Sequence, residues 1–359
     1  MPKTEDHIAE AILDASGPLK ITGGDTRACL DPLSGDTLSM TDLSGITLYD
    51  PGALTLVAKS GTPVQDIEHA LHEHGQMLAF EPCDLRTVLG TSGTSTIGGV
   101  VATNASGPRR ISPVGACRDS LLGVRFVDGA GRIIKNGGRV MKNVTGYDLV
   151  KLLAGSHGTL GVLTEVSLKV LPRPQSAATL TIADLNVRDA VDLMSKALGT
   201  PFEVTGAAYL NGDTFLRLEG FAESVAYRTA ALQAALQCSA RVTDDPGIWA
   251  DLRDATALAG QTGDLWRISV APSQAPDVVA ALPDAQVQLD WGGGLIWARV
   301  PSGFDVRQTI TKGHATMLSA QVLSPYPKFQ PEPAPLAALS RGLRAKFDPR
   351  GILNQGLMC

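Results

Sequence analysis

At 359 residues, 44% of them hydrophobic and 19% charged, the chain is long enough for two cores and has the composition of a globular protein that folds in water. A net charge of −5 without a long basic run argues against nucleic acid as the main partner. The five cysteines (Cys29, Cys83, Cys117, Cys238 and Cys359) are scattered and include no C-x-x-C pair, so they read as reduced thiols rather than zinc or iron–sulfur ligands.

The N-terminus carries acids where a signal peptide needs a basic and then an apolar region, and no apolar run approaches ~18 residues. A cytoplasmic protein is expected, touching a membrane only peripherally and through partners. Residues 7–15 space Ile8, Ile12 and Leu13 as a short amphipathic helix. A brief strand at 19–22 runs into Gly23-Gly24-Asp25-Thr26-Arg27, either a surface turn or a place where exposed amides and an arginine meet a pyrophosphate. Strands are expected at 43–49 and 54–58, split by Asp50-Pro51-Gly52. Thr62-Pro63 opens a helix that Gly75 stops. Its Glu68, His69, His72, Glu73 and His74 read as a solvated face rather than a metal site.

From Gly90 to Pro172 small residues gather where backbone can approach a ligand closely. Thr94, Ser95, Thr96, Ile97, Gly98 and Gly99 form one cluster, followed by Asn104, Ala105, Ser106 and Gly107; Gly155, Ser156, His157, Gly158, Thr159, Leu160 and Gly161 form another. Such turns can leave amides uncovered as a nest for phosphate or a planar heterocycle. Between them, strands at 121–127 and 131–135 meet at Asp128-Gly129, and a third strand runs over 161–171. Neither the G-x-G-x-x-G fingerprint nor the P-loop is present.

Thr96-Ile97-Gly98-Gly99, Thr103 to Gly107, and Gly158-Thr159-Leu160-Gly161 with Thr164-Glu165 resemble, in order and spacing, the PCMH-type (vanillyl-alcohol oxidase-like) FAD-binding domain. Within that family the likeness runs over nearly the whole chain to the FAD-binding subunits of bacterial glycolate oxidases. The resemblance implies non-covalent FAD, because the places that carry a linking histidine or cysteine in covalent relatives hold Asp25 and Ser92. It also implies cofactor contacts from Gly23, Gly24, Asp25, Thr26 and Arg27, from Thr94, Ser95, Thr96, Gly98 and Gly99, from Asn104, Ser106 and Gly107, and from Gly155, Ser156, His157, Gly158, Thr159, Gly161 and Val162. Asp348 to Gly356 is similar to the family's closing segment, with Gln355 in place of a proline, which makes Asn354 a candidate near the flavin or a plain turn residue.

Pro172-Arg-Pro-Gln175 is a stiff connection and the expected boundary between an α+β FAD-binding domain over residues 1–172 and a cap over 173–330, with 331–359 returning to the first domain. The cap shows two β-α-β-β-α-β orders: strands at 179–182, 204–210, 214–219 and 241–243 with helices at 187–198 and 222–237, then a helix at 249–257. Strands follow at 265–270, 286–291, 295–300 and 316–319, with helices at 274–282 and 304–311. Side by side they make one antiparallel sheet with helices on one face. A last helix is read at 343–347.

No metal site is expected. Flavin 2-hydroxyacid dehydrogenases of this family resemble one another in a cap motif, His-x-Gly-Asp-Gly-Asn-x-His; here Gly292 to Pro301 holds no histidine, and His314 reads as a loop residue. His157 is either a cofactor or substrate contact or a structural histidine. The resemblance therefore implies a subunit that holds FAD and relays electrons in glycolate oxidation, beside a second flavin subunit and an iron–sulfur subunit. Two alternatives stay open: a self-sufficient 2-hydroxyacid dehydrogenase of D-lactate type, and a scaffold that keeps the flavin fold without chemistry.

Overall fold

The structure, a computed structural model, describes residues 2–27, 33–112, 114–139, 146–322 and 324–358. The first half runs α1 (Glu5–Asp14), β1 (Leu19–Thr22), β2 (Asp36–Ser39), β3 (Ile46–Asp50), β4 (Thr55–Lys59), α2 (Val64–Glu73), β5 (Gln76–Met77), α3 (Arg86–Leu89), α4 (Ile97–Thr103), α5 (Cys117–Ser120), β6 (Leu121–Val127), β7 (Ile133–Gly137), α6 (Leu149–Leu153), β8 (Val162–Lys169) and β9 (Leu171–Pro172). Strands β3-β4-β8-β6-β7 form an antiparallel sheet in that order. The apolar spacing of α2 buries Ile67 and Leu71, which join Ile97, Val100 and Val101 of α4 over Leu56, Phe126, Val166 and Leu168 of the sheet. The expected strand at 161–171 breaks in two, because β9 leaves the sheet to pair with β5.

A small parallel pair, β1-β2, lies under α1, and the C-terminal tail joins it through a parallel bridge between Leu19 and Leu353. Ile8 and Ile12 of α1 pack there against Val127 and Val162.

The second half runs β10 (Ser176–Ile182), α7 (Val187–Leu198), β11 (Gly206–Leu210), β12 (Asp213–Gly220), α8 (Ala222–Leu236), β13 (Arg241–Thr243), α9 (Gly247–Asp254), β14 (Asp264–Ser269), α10 (Ala275–Ala280), β15 (Gln286–Asp290), β16 (Leu295–Val300), β17 (His314–Ser319) and α11 (Ala334–Phe347). Its eight strands make one antiparallel sheet, ordered β13-β10-β12-β11-β15-β16-β14-β17. Helices α7, α8 and α10 cover one face, with Met194, Leu232 and Val278 against Leu218, Trp266, Ile268 and Leu289.

Several sequence expectations are corrected here. Helices are not confined to one face: α9 crosses the other, where Trp249 packs on Ala208 and Phe215, the strand residues that alternate away from the main core. The helix expected at 304–311 is a 3-10 turn, Val306–Thr309. His314 opens strand β17 rather than sitting in a loop, and α11 begins nine residues before the expected 343.

The face that carries α9 meets the first half of the chain. Leu265, Leu295 and Trp297 pack on Cys83, Leu85 and Val88. Beside them, a four-charge network crosses the seam with side chains 4–13% exposed: Arg217 reaches Glu81 at 2.9 Å, Arg109 reaches Glu219 at 2.7 Å and Glu81 at 3.1 Å, and Arg217 reaches Glu219 at 3.3 Å. Burial opposes ionisation of Glu219, but the hydrogen bonds from Arg109 and the charges of Arg217 and Arg109 outweigh it and lower its pKa to about 2.

Candidate cofactor site

Three turns and the tail enclose a cavity of about 400 Å³, within the size range of small-molecule sites, with a smaller one of about 80 Å³ adjoining it. The first turn follows β1. Gly24 is placed so that any Cβ would come 1.6 Å from the Thr94 carbonyl oxygen, so only glycine lets this turn lie backbone to backbone on the next. Arg27 ends the turn, donating to the Cys83 carbonyl at 2.7 Å and to Ser95 Oγ at 3.2 Å, while its Nε is buried without a partner. Burial pulls its pKa below the ordinary value, and the guanidinium stays charged at any working pH.

The second turn opens α4. Thr96 caps it, its hydroxyl accepting from the Gly99 amide at 3.4 Å. A side chain on Gly99 would meet only Thr96 Oγ1 at 3.3 Å and would otherwise project into the cavity. Ser60 lines the smaller space, with a buried hydroxyl that has no partner.

The third turn docks on the end of α4: the Gly155 amide donates to the Val101 carbonyl at 3.1 Å and the His157 amide to Ala102 at 2.9 Å. His157 has φ 52° and stacks edge-on with Phe329 at 4.9 Å. Burial, with the positive charges of Lys328 and Arg27, lowers its pKa to about 4, so the imidazole is neutral at pH 7. Asn354 ties tail to turn. Its Oδ1 accepts from the Ile21 amide at 2.8 Å and its Nδ2 donates to the His157 carbonyl at 2.8 Å.

Of the residues singled out from the sequence, Gly23, Gly24, Asp25, Thr26, Arg27, Thr96, Gly98, Gly99, His157, Gly158, Gly161 and Asn354 line these cavities. The others stand behind the lining. Thr94 and Ser95 buttress the first turn. Asn104 caps α4 and accepts from the Arg118 amide, Ser106 accepts from the Cys117 amide, and Gly107 accepts from the indole of Trp291. Gly155, Ser156 and Thr159 shape the third turn, Thr159 donating to the Ser156 carbonyl at 2.7 Å. The side chain of Val162, one residue beyond Gly161, lines neither cavity, because strand alternation sends it into the α1 core. Lining residues left out of the candidate contacts include Ala102 and Thr103, the latter the first residue of the second motif; they lie three and four positions after Gly99, a helical spacing that could have found them. Met40, Ser60 and Leu163 carry no such signal.

In the helix that raised the metal question, His69 and Glu73 form an exposed pair at 3.6 Å, and no three metal-type ligands converge among the described residues.

An FAD-binding-domain family model matches residues 1–137, the segment that supplies the first two turns. The sequence is 37% identical to the glycolate oxidase subunit GlcE of Escherichia coli (strain K12), over 98% of this chain and 95% of the relative. The chain belongs to the GlcE family of FAD-linked oxidoreductase subunits. Over 62% of its length it is also 29% identical to glycolate oxidase subunit GlcD of Bacillus subtilis (strain 168), covering 47% of that protein. Over 44% it is 34% identical to a D-lactate dehydrogenase of Anaerostipes hadrus, covering 31% of it. In fold it matches alkyldihydroxyacetonephosphate synthase with a TM-score of 0.68 at 17% identity, over 99% of this chain and 76% of the other. The cavity suits the family's cofactor. A buried guanidinium with a spare Nε–H answers a diphosphate, and the open space at Gly99 leaves room for a flat ring system.

Proposed function

We propose that this chain is the FAD-binding subunit of a glycolate oxidase assembly, holding non-covalent FAD in the cavity and relaying electrons while glycolate becomes glyoxylate. The observation that carries the reading is the convergence of Arg27, Gly99, His157 and Asn354 on one cavity from three turns and the tail. FAD, when bound, supplies the electron acceptor. The chain supplies the grip. Arg27 neutralises the diphosphate, Thr96 and Gly99 keep the wall thin, and neutral His157 offers hydrogen bonding without adding charge. Asn354 locks the tail across the opening.

Residues 1–172 are proposed as the FAD-binding domain, 173–330 as the cap and 331–359 as the returning segment. Substrate oxidation is assigned to a partner flavin subunit, since the hairpin at Gly292 to Pro301 has no histidine to act as base or metal ligand. An iron–sulfur subunit completes the assembly. No helix among the described residues is long and apolar enough to cross a membrane, and a cytoplasmic assembly, peripheral to the inner face of the membrane through its partners, is part of the same proposal.

Affinity purification of the tagged chain from its native cell, with a visible spectrum of the eluate, tests the reading. Flavin and iron–sulfur absorption together with two further polypeptides are expected. Turnover of glycolate or D-lactate by the isolated chain with a dye acceptor would replace it with a self-sufficient dehydrogenase, and a colourless chain that cannot be reconstituted would leave a scaffold.

A further inference from the structure

Outside the cavity, the hairpin between β15 and β16 is built around an unusual backbone. Trp291, Gly292 and Gly293 have φ of 56°, 65° and 102°, three left-handed residues in a row. The indole is buried, its Nε1 donating to the Gly107 carbonyl at 3.0 Å across the seam. Two guanidiniums lie over it: Arg110 Cζ is 4.3 Å from the ring centroid and Arg267 Cζ 5.1 Å. Arg110 comes from the 3-10 turn Pro108–Ile111 of the first half, and Arg267 from the middle of β14 in the second.

Among the described residues neither side chain has a hydrogen-bond acceptor or a carboxylate partner. Their neighbours differ sharply. Arg109, the sequence neighbour of Arg110, and Arg217 of β12 are saturated by Glu219 and Glu81. His314 lies on the same sheet face as Arg267, being paired with Ser269, two residues along β14. Its pKa is lowered by burial and by the positive charges of Arg267 and Arg110. Stacking fixes a guanidinium plane while leaving its N–H edge free, and the planar acceptor that matches that edge is a carboxylate.

We propose that Arg110 and Arg267, held on Trp291, bind the carboxylate of a small 2-hydroxy or 2-oxo acid, one arginine from each half of the chain. The acid class rests on the proposed function; the site rests on the two unmatched guanidiniums. The ligand would draw the two halves together at the seam.

Calorimetric titration of the intact chain with glycolate, glyoxylate and oxalate, with inorganic phosphate as control, tests this on wild type, Arg110→Gln, Arg267→Gln and Arg267→Lys. Saturable carboxylate binding is expected, weakened at least about tenfold by either glutamine and restored in part by lysine, which keeps the charge but not the fork. Flavin absorbance should not change. Arg110 is exposed, so its variant remains informative where Arg267→Gln does not fold. No binding to wild type, undiminished binding in Arg110→Gln and Arg267→Lys, or equally tight phosphate binding would each overturn the proposal. A wild-type chain that stays colourless after incubation with FAD yet binds glycolate with the same arginine dependence would sink the FAD reading and leave this site standing.

Discussion

The cavity wall around Thr96 and the seam around Arg217 are both buried, both polar and both assembled from residues far apart in the chain, yet they treat their polar groups in opposite ways. At the seam, Glu81, Arg109, Arg217 and Glu219 satisfy one another. At the cavity, Arg27 Nε and Ser60 Oγ are buried without partners and the wall is made of small residues. A buried polar group with no partner costs stability unless something else supplies one, so the contrast separates surfaces that hold the molecule together from surfaces that await a ligand. The largest effect should come from Gly99→Trp. Position 99 lies within a helix, where tryptophan is tolerated, and its side chain must enter the cavity. FAD retention, read at the visible flavin band after desalting, should vanish while far-ultraviolet circular dichroism is kept; a yellow variant would move the cofactor elsewhere.

On the other side of the contrast, Glu219→Gln leaves Arg109 and Arg217 without half of their charge compensation, and a loss of about 3–5 kcal/mol in urea unfolding is expected. The pH dependence has a definite sign. Glu219 titrates at about 2 when folded and near its ordinary 4.5 when unfolded, so its contribution is whole above pH 4.5 and disappears as pH falls toward 2. The variant should lack that acid limb. An unchanged urea midpoint would mean that the seam does not hold the halves.

Asn354→Ala probes the join between the two regions. It removes an acceptor from the Ile21 amide and a donor from the His157 carbonyl, for an expected loss of about 1–3 kcal/mol and a weaker hold on FAD. Equal FAD affinity by equilibrium dialysis would reduce Asn354 to a turn residue.

How much was legible follows the same divide. The glycine turns stand out because close backbone approach restricts what a position can hold, and that restriction is local, as Gly24 against Thr94 shows. Arg217 and Glu219, by contrast, read as ordinary alternating residues of a strand; their partners Glu81 and Arg109 are more than a hundred positions away, and only folding brings them together. The direction of the Val162 side chain was not legible, because adjacency to a cavity glycine says nothing about which way a strand residue faces. The first nine residues of helix α11 escaped for another reason: none of its residues is buried, so no apolar stripe marks its first turns. His314 was likewise unreadable, its strand being fixed by pairing with β14.

The subtlest test lies where the seam meets the hairpin. Asp290 is fully enclosed and accepts from the Trp291 amide at 2.6 Å. Burial above all, with Glu81 adding to it and the Trp291 amide and Arg217 opposing, raises its pKa to about 7. Unfolded, it ionises near 3.8, so between pH 3.8 and about 7 the unfolded chain gives up a proton that the folded one keeps, and stability falls as pH rises through that window. Asp290→Asn preserves the shape and the acceptor for the Trp291 amide while removing the proton. Its urea midpoint should match that of wild type near pH 3, below the window, and exceed it at pH 8. This window is distinct from the acid limb of Glu219, so one pH series on both variants assigns each slope to its residue. Parallel curves for Asp290→Asn and wild type would show that the folded protein holds Asp290 ionised, against its enclosure beside Glu81.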